Sequence, residues 1–226
     1  MQQALDLPVN PRYGFENFIP CPGNTSALEF ARRLCDPAGT EKLLYLYGDS
    51  GSGKTHLLHA IGQTMLGSQH QVISCLELAE LDESDLINRL DNLPALLVDD
   101  LDQLPPALRV ALWEAFNRHH LAGRPVAMAG RFAPRELDNL DEHLTSRLLW
   151  GLVARLDVSD DNSRLMLIAK LASDRQVILP DEVANWLLTI LPRDVGSLVT
   201  ACDTIYRVAL EKGRKITLRL ARELFV

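Results

Sequence analysis

The chain has 226 residues, 47% of them hydrophobic, which fits one sizeable core with a smaller attached lobe and excludes a disordered chain. Its 23 basic residues against 30 acidic ones give a net charge of −7, which opposes tight autonomous binding to a phosphate backbone and leaves DNA an indirect or weak partner. No apolar run is long enough to cross a membrane, the first twenty residues lack a signal-peptide core, and Cys21, Cys35, Cys75 and Cys202 form no Cys-x-x-Cys pair. A cytoplasmic protein with no membrane partner, no zinc site and four buried or incidental thiols is expected.

Residues 1–12, MQQALDLPVNPR, hold two prolines and no helical period, and read as an extended arm before a body that begins near Tyr13. The spacing of Ala27, Leu28, Ala31 and Leu34 predicts a first helix over 24–34, with Ser26 and Glu29 placed as a capping box. Residues 43–47, LLYLY, are apolar throughout, as in a strand covered on both faces of a parallel sheet. Further strands are expected at 72–76, 95–99, 126–129 and 152–156, alternating with helices over 54–65 and 84–90 and one opened by Pro106. Strands alternating with helices imply right-handed crossovers and a mainly parallel α/β sheet. After Val158 the texture becomes helical, over 161–173, 181–190, 195–211 and 218–225, with N-cap candidates in Ser159-Asp160-Asp161. The expected division is therefore an arm (1–12), an α/β domain (13–158) and a helical lid domain (159–226). His119 and His120, on a helix, and His56 and His59 show no metal-ligand spacing and read as packing or surface residues.

Between the 43–47 strand and the next helix lies Gly48-Asp49-Ser50-Gly51-Ser52-Gly53-Lys54-Thr55, which fits G-x-x-x-x-G-K-[ST] in the strand-to-helix context the motif needs. Glycines at 48, 51 and 53 let the backbone curl so that its N–H groups surround phosphates at a positive helix end. Lys54 is expected to reach the β- and γ-phosphates and Thr55 to ligate Mg²⁺. A P-loop also needs a carboxylate at the end of a neighbouring strand. The run Ala95-Leu96-Leu97-Val98-Asp99-Asp100 offers Asp99 for the metal, with Asp100 next to it as a candidate to polarise water.

Read outward from the P-loop, five segments resemble the DnaA/Hda family of AAA+ proteins. Gly53 to Gly62, GKTHLLHAIG, is similar to that family's Walker A helix, and residues 10–19, NPRYGFENFI, resemble the lead-in segment lying by the adenine. Leu97-Val98-Asp99-Asp100 matches the Asp-Asp form of Walker B, Ser146-Arg147-Leu148-Leu149-Trp150-Gly151-Leu152 resembles the arginine-finger box, and Pro192-Arg193-Asp194-Val195 falls at the sensor II position. The resemblance spans residues 9–226. It implies an AAA+ fold, a five-stranded α/β nucleotide domain followed by a helical lid, holding ATP or ADP with Mg²⁺. Phe18, Ile19 and His56 join residues 48–55 as expected nucleotide contacts. Arg147 would act in trans on a neighbour's γ-phosphate and Arg193 would sense nucleotide in cis, roles that suit a permanently charged guanidinium.

The chain ends at Val226, where DnaA initiators continue into a duplex-reading domain, and residues 77–94 are shorter and less basic than the initiator's single-strand-binding insertion. Both features point to the Hda branch, which implies the DnaA initiator as partner. Gln2, Leu5 and Leu7 fit the Q-x-x-L-x-L pattern of sliding-clamp ligands, an extended arm placing apolar side chains in a pocket. The 126–129 strand runs into Gly130-Arg131 with no polar sensor I residue, so slow or absent intrinsic hydrolysis is expected; Arg131 is expected to cap or pair with a nearby acid, its alternative role being that of the sensor. The expectation is a nucleotide-bound regulator that stimulates hydrolysis of ATP held by DnaA; an initiator-like ATPase turning over its own ATP is the rival, and homo-oligomerisation is left open by either.

Overall fold

Five short runs pair in a single parallel sheet, and the three central ones are buried almost throughout on both faces while the two edge strands are only partly covered. In the computed structural model, which describes residues 13–78 and 83–225, the strands are β1 (Leu43–Tyr47), β2 (Ile73–Ser74), β3 (Leu96–Asp99), β4 (Val126–Gly130) and β5 (Leu152–Arg155), in the order β2-β3-β4-β1-β5. Tyr47 pairs with Gly130 on one side and Arg155 on the other, while Leu96 pairs with Val126 and Ser74 with Asp99.

Alternation along the strands divides the α/β body, residues 13–157, into two cores. Leu44, Leu46, Ala95, Leu97, Ala127 and Ala129 face the layer of α1 (Thr25–Leu34) and α2 (Lys54–Leu66). Leu43, Tyr45, Leu96, Val98, Val126 and Met128 face α3 (Glu83–Asp91), α4 (Arg109–Leu121) and α5 (Glu142–Leu148). The alanines of β4 keep the first face shallow, and α2 packs directly over β3 and β4. That close approach carries the N-terminal turn of α2 to the end of β3.

Several local expectations are corrected. The first helix begins at Thr25 and Ser26 does not cap it; instead the Asn24 side chain accepts from the Cys21 backbone N–H at 2.8 Å and donates to Ile19 O at 3.0 Å, anchoring the turn before the helix. The second strand is only Ile73–Ser74, because the chain turns into a 3-10 segment over Cys75–Leu78. Pro106 opens a 3-10 turn, Pro106–Leu108, and α4 follows it. The helix α5 was not expected at all.

Residues 158–225 form a second body of four helices, α6 (Asp161–Asp174), α7 (Asp181–Ile190), α8 (Val195–Glu211) and α9 (Leu218–Phe225), around a core that includes Ile168, Leu187, Leu198, Ile205 and Leu220. Asp160 and Asp194 cap α6 and α8, each accepting from the backbone N–H and hydroxyl of the serine three residues on. Among the described residues no helix is long and apolar enough to cross a membrane.

The largest fully buried side chain is charged. Arg164 of α6 has no exposed surface; its Nη2 donates to Pro192 O at 2.8 Å, its Nη1 lies 3.3 Å from Asp161 Oδ1, and its Nε has no partner. It ties the first turn of α6 to the turn before α8. Replacing it with alanine leaves a cavity and takes the donor from the Pro192 carbonyl, so Arg164→Ala is expected to destabilise this body by about 3 kcal/mol. Arg164→Met fills the volume and is expected to cost less than about half as much, since apolar replacement of a buried charge is better tolerated than truncation. Urea unfolding of both variants measures the difference.

Candidate functional site

The loop after β1 is made possible by residues without side chains. A Cβ on Gly48 would lie 2.2 Å from the backbone oxygen of Leu156, and one on Gly53, at φ 105°, would lie 2.9 Å from the Phe18 ring. Gly53 is the N-cap of α2 and supplies no capping side chain, so the first N–H groups of the helix have no side-chain acceptor. Ser52 lies in the same curl with its Oγ buried and without a hydrogen-bond partner.

Lys54 and Thr55 open α2. Lys54 Nζ folds back to donate to the backbone oxygens of Gly48 and Asp49, both at 2.8 Å. Burial pulls its pKa below the ordinary lysine value, opposed by Asp99, Asp102, Asp100 and Asp49. Thr55 Oγ1 donates to Asp99 Oδ2 at 2.5 Å. Asp99 ends β3 on the same face as Leu97, is 2% exposed, and also accepts from the Asp100 backbone N–H at 2.9 Å. Burial raises its pKa, and the Thr55 and Asp100 hydrogen bonds work against that shift.

Asp100 takes the left-handed conformation, φ 54° and ψ 41°, which aspartate tolerates better than most residues. This turn separates its carboxylate from that of Asp99: Asp100 Oδ2 accepts from Ser74 Oγ at 2.7 Å, at the end of β2. Past β4, the expectation that Arg131 pairs with an acid through its side chain is not met among the described residues. Its backbone N–H donates to Asp102 Oδ1 at 2.7 Å and its guanidinium lies 5.6 Å from the Phe132 ring centroid. At Gly130, Tyr45 Oη and Asp102 Oδ1 occupy the space a side chain would need.

On the other side of the loop, Phe18 is buried and meets His56 edge-on at 5.4 Å, while His56 Nε2 is 2.9 Å from Gly14 O. Ile19 is half-buried, its backbone oxygen held by Asn24. Tyr13 stacks on His59 at 4.8 Å, and His59 Nδ1 is 3.1 Å from His70 Nε2. Phe18, Ile19, His56 and residues 48–55 therefore converge on one end of the sheet with Asp99.

Arg147 stands on α5 in the other helical layer. Its Cζ lies 4.0 Å from the ring centroid of Trp113 and 5.2 Å from that of Trp150, and its Nη1 is buried without a hydrogen-bond partner. Arg193 belongs to the helical body, largely exposed, with Nη2 3.5 Å from Asp161 Oδ2. Gln2, Leu5 and Leu7 lie outside the described residues. Sequence reasoning missed Ser74, Asp102, Trp113 and Arg164; each acts across more than twenty residues of chain, and no local pattern marks such a contact.

The donor set fits a magnesium-bound nucleotide. Thr55 and Asp99 offer adjacent hard oxygen donors of the kind Mg²⁺ takes, and Lys54, the uncapped α2 N-terminus and the orphaned Ser52 Oγ supply charge and donors for phosphate. The raised pKa of Asp99 means that the folded chain holds this proton more tightly than the unfolded one. Its ionised form therefore weakens the fold at pH values above the folded pKa, and the penalty disappears as the pH falls through that value towards the ordinary 3.8. Without nucleotide or metal, Asp99→Asn is expected to raise the melting temperature at pH 7, with the gain shrinking towards pH 4. A gain that grows on acidification, measured by differential scanning calorimetry across that range, would contradict the assignment.

The bacterial DnaA ATPase domain model matches residues 9–155, and the Hda lid domain model matches residues 160–225. The chromosomal replication initiator DnaA of Geobacter sulfurreducens is 28% identical over 95% of this chain, which spans about half (52%) of that relative's length. Domain III of the Thermotoga maritima initiator DnaA superposes with a TM-score of 0.81 at 27% identity, covering 95% of each chain. AMPPCP-bound DnaA from Aquifex aeolicus superposes at 0.75 with 25% identity, over 91% of this chain and 67% of that one. With five parallel strands, a glycine-rich loop at the end of β1 and four helices following, the chain belongs to the DnaA/Hda family of AAA+ proteins.

Proposed function

We propose that the α/β body binds ADP or ATP with Mg²⁺, and that the chain regulates replication initiation by presenting Arg147 to ATP held by a DnaA initiator. In this reading Lys54 and the loop N–H groups hold the phosphates, Thr55 and Asp99 hold the metal, Phe18, Ile19 and His56 lie towards the base, and Arg193 senses the nucleotide from the lid. The metal supplies charge neutralisation at the phosphates when bound. The arm, through Gln2, Leu5 and Leu7, tethers the protein to the sliding clamp.

The observation that carries the regulator reading is the state of Arg147. Its side chain has neither an ion pair nor a hydrogen bond among the described residues, and Leu149 and Trp150 beside it are exposed, at 41% and 61%. A guanidinium left uncompensated on an exposed apolar patch suits an anion brought by another molecule. The match of residues 160–225 to the Hda lid and the net charge of −7 support the same reading. The complete Thr55–Asp99 pair favours a second reading, turnover of the chain's own ATP.

Both readings meet in one assay: ATP hydrolysis by this chain, by a DnaA initiator, and by the two together with clamp loaded on DNA. Acceleration is expected only in the full mixture, and Arg147→Ala is expected to remove nearly all of it, since an arginine finger is worth about a thousandfold or more in kcat. Robust turnover by the isolated chain would support the second reading instead.

A further inference from the structure

Arg147 is held by aromatic faces where an arginine is more often held by acids. Trp113 comes from α4 and is packed against the core, with its ring parallel to Phe116 at 6.4 Å and 2°. Trp150 follows α5, its backbone N–H donating to Arg147 O at 3.0 Å, and its ring meets His120 at 5.9 Å. The guanidinium lies over both indoles, closer to Trp113. One wall is thus fixed by the core and the other is exposed.

Stacking differs from ion pairing in a way that matters for a residue meant to meet an incoming anion. A carboxylate partner would neutralise the charge and occupy the in-plane N–H donors, and would have to be displaced. An indole face holds the guanidinium plane through its quadrupole, leaves the charge uncompensated and accepts no strong hydrogen bond. The buried Nη1 has no acceptor among the described residues.

We propose that Trp113 and Trp150 are positioning residues that hold Arg147 in plane and unpaired, ready for the phosphoryl oxygens of a nucleotide carried by a neighbouring molecule. The inference rests on the trans role of Arg147 given above. It makes Trp113, which does not touch the chain's own nucleotide site, a determinant of stimulation in trans.

The test is a double-mutant cycle in the mixed hydrolysis assay, with the chain's own affinity for Mg-ADP as the control for folding. Trp113→Leu is expected to lower stimulation about tenfold with ADP affinity unchanged, while Trp113→Phe, which keeps a π face, should stay within about threefold of wild type. Trp150→Ala, at an exposed position, provides a second arm independent of core packing and should fall in the same direction. In the Arg147→Ala background neither tryptophan substitution should lower the rate further. A fall on Arg147→Ala with full stimulation in Trp113→Leu and Trp150→Ala, or equal losses for Trp113→Leu and Trp113→Phe, overturns the positioning role alone. Full stimulation in Arg147→Ala overturns the trans reading, and this inference with it.

Discussion

A carboxylate buried at the end of a strand is tolerated only if its oxygens find donors, and at Asp99 that condition organises the site. One oxygen takes the Thr55 hydroxyl at 2.5 Å and the other the Asp100 N–H at 2.9 Å. The first bond requires α2 to start close above β3, which the small side chains of Ala127 and Ala129 allow. It also requires the chain to leave β1 in a tight curl, which Gly48 and Gly53 allow because a Cβ at either would collide. The second bond bends the backbone into a left-handed turn at Asp100, which sends the neighbouring carboxylate to Ser74. Two consecutive acids thereby acquire different partners and different surroundings.

The helical body solves a different problem, that of fixing turns between short helices. Asp160 and Asp194 cap two of its four helices, and buried Arg164 joins Asp161 to the carbonyl of Pro192, immediately before Arg193. Arg193 shares Asp161 with Arg164 at 3.5 Å. The turn that carries the exposed arginine is therefore tied to α6 by a charged residue that no solvent reaches.

Much of this was legible in the sequence because it is local. The P-loop octad, the apolar run before it and the acid ending LLVD are contiguous patterns, and the four C-terminal helices were bounded closely by their periodicity, the first of them also by the cap candidates in Ser159-Asp160-Asp161. What was illegible depends on distance or on competition. Seven residues make too short a period to announce α5, and the second strand was overestimated because 3-10 turns compete with extended chain at Cys75–Leu78. Asn24 outcompeted the Ser26 capping box by bonding backward to Cys21 and Ile19. Arg164 carries a charge in an expected helix, where burial is unusual, and Trp113 meets Arg147 from a different element altogether.

The central claim is that Lys54, Thr55 and Asp99 form a magnesium-nucleotide site, and calorimetric titration of the isolated chain with ADP, with and without Mg²⁺, tests it most directly. The account predicts binding that weakens about tenfold or more when Mg²⁺ is withheld or Thr55 becomes valine, and that is lost in Lys54→Ala, since each removes charge or a donor at the phosphates. Equal affinity in all four titrations would contradict it.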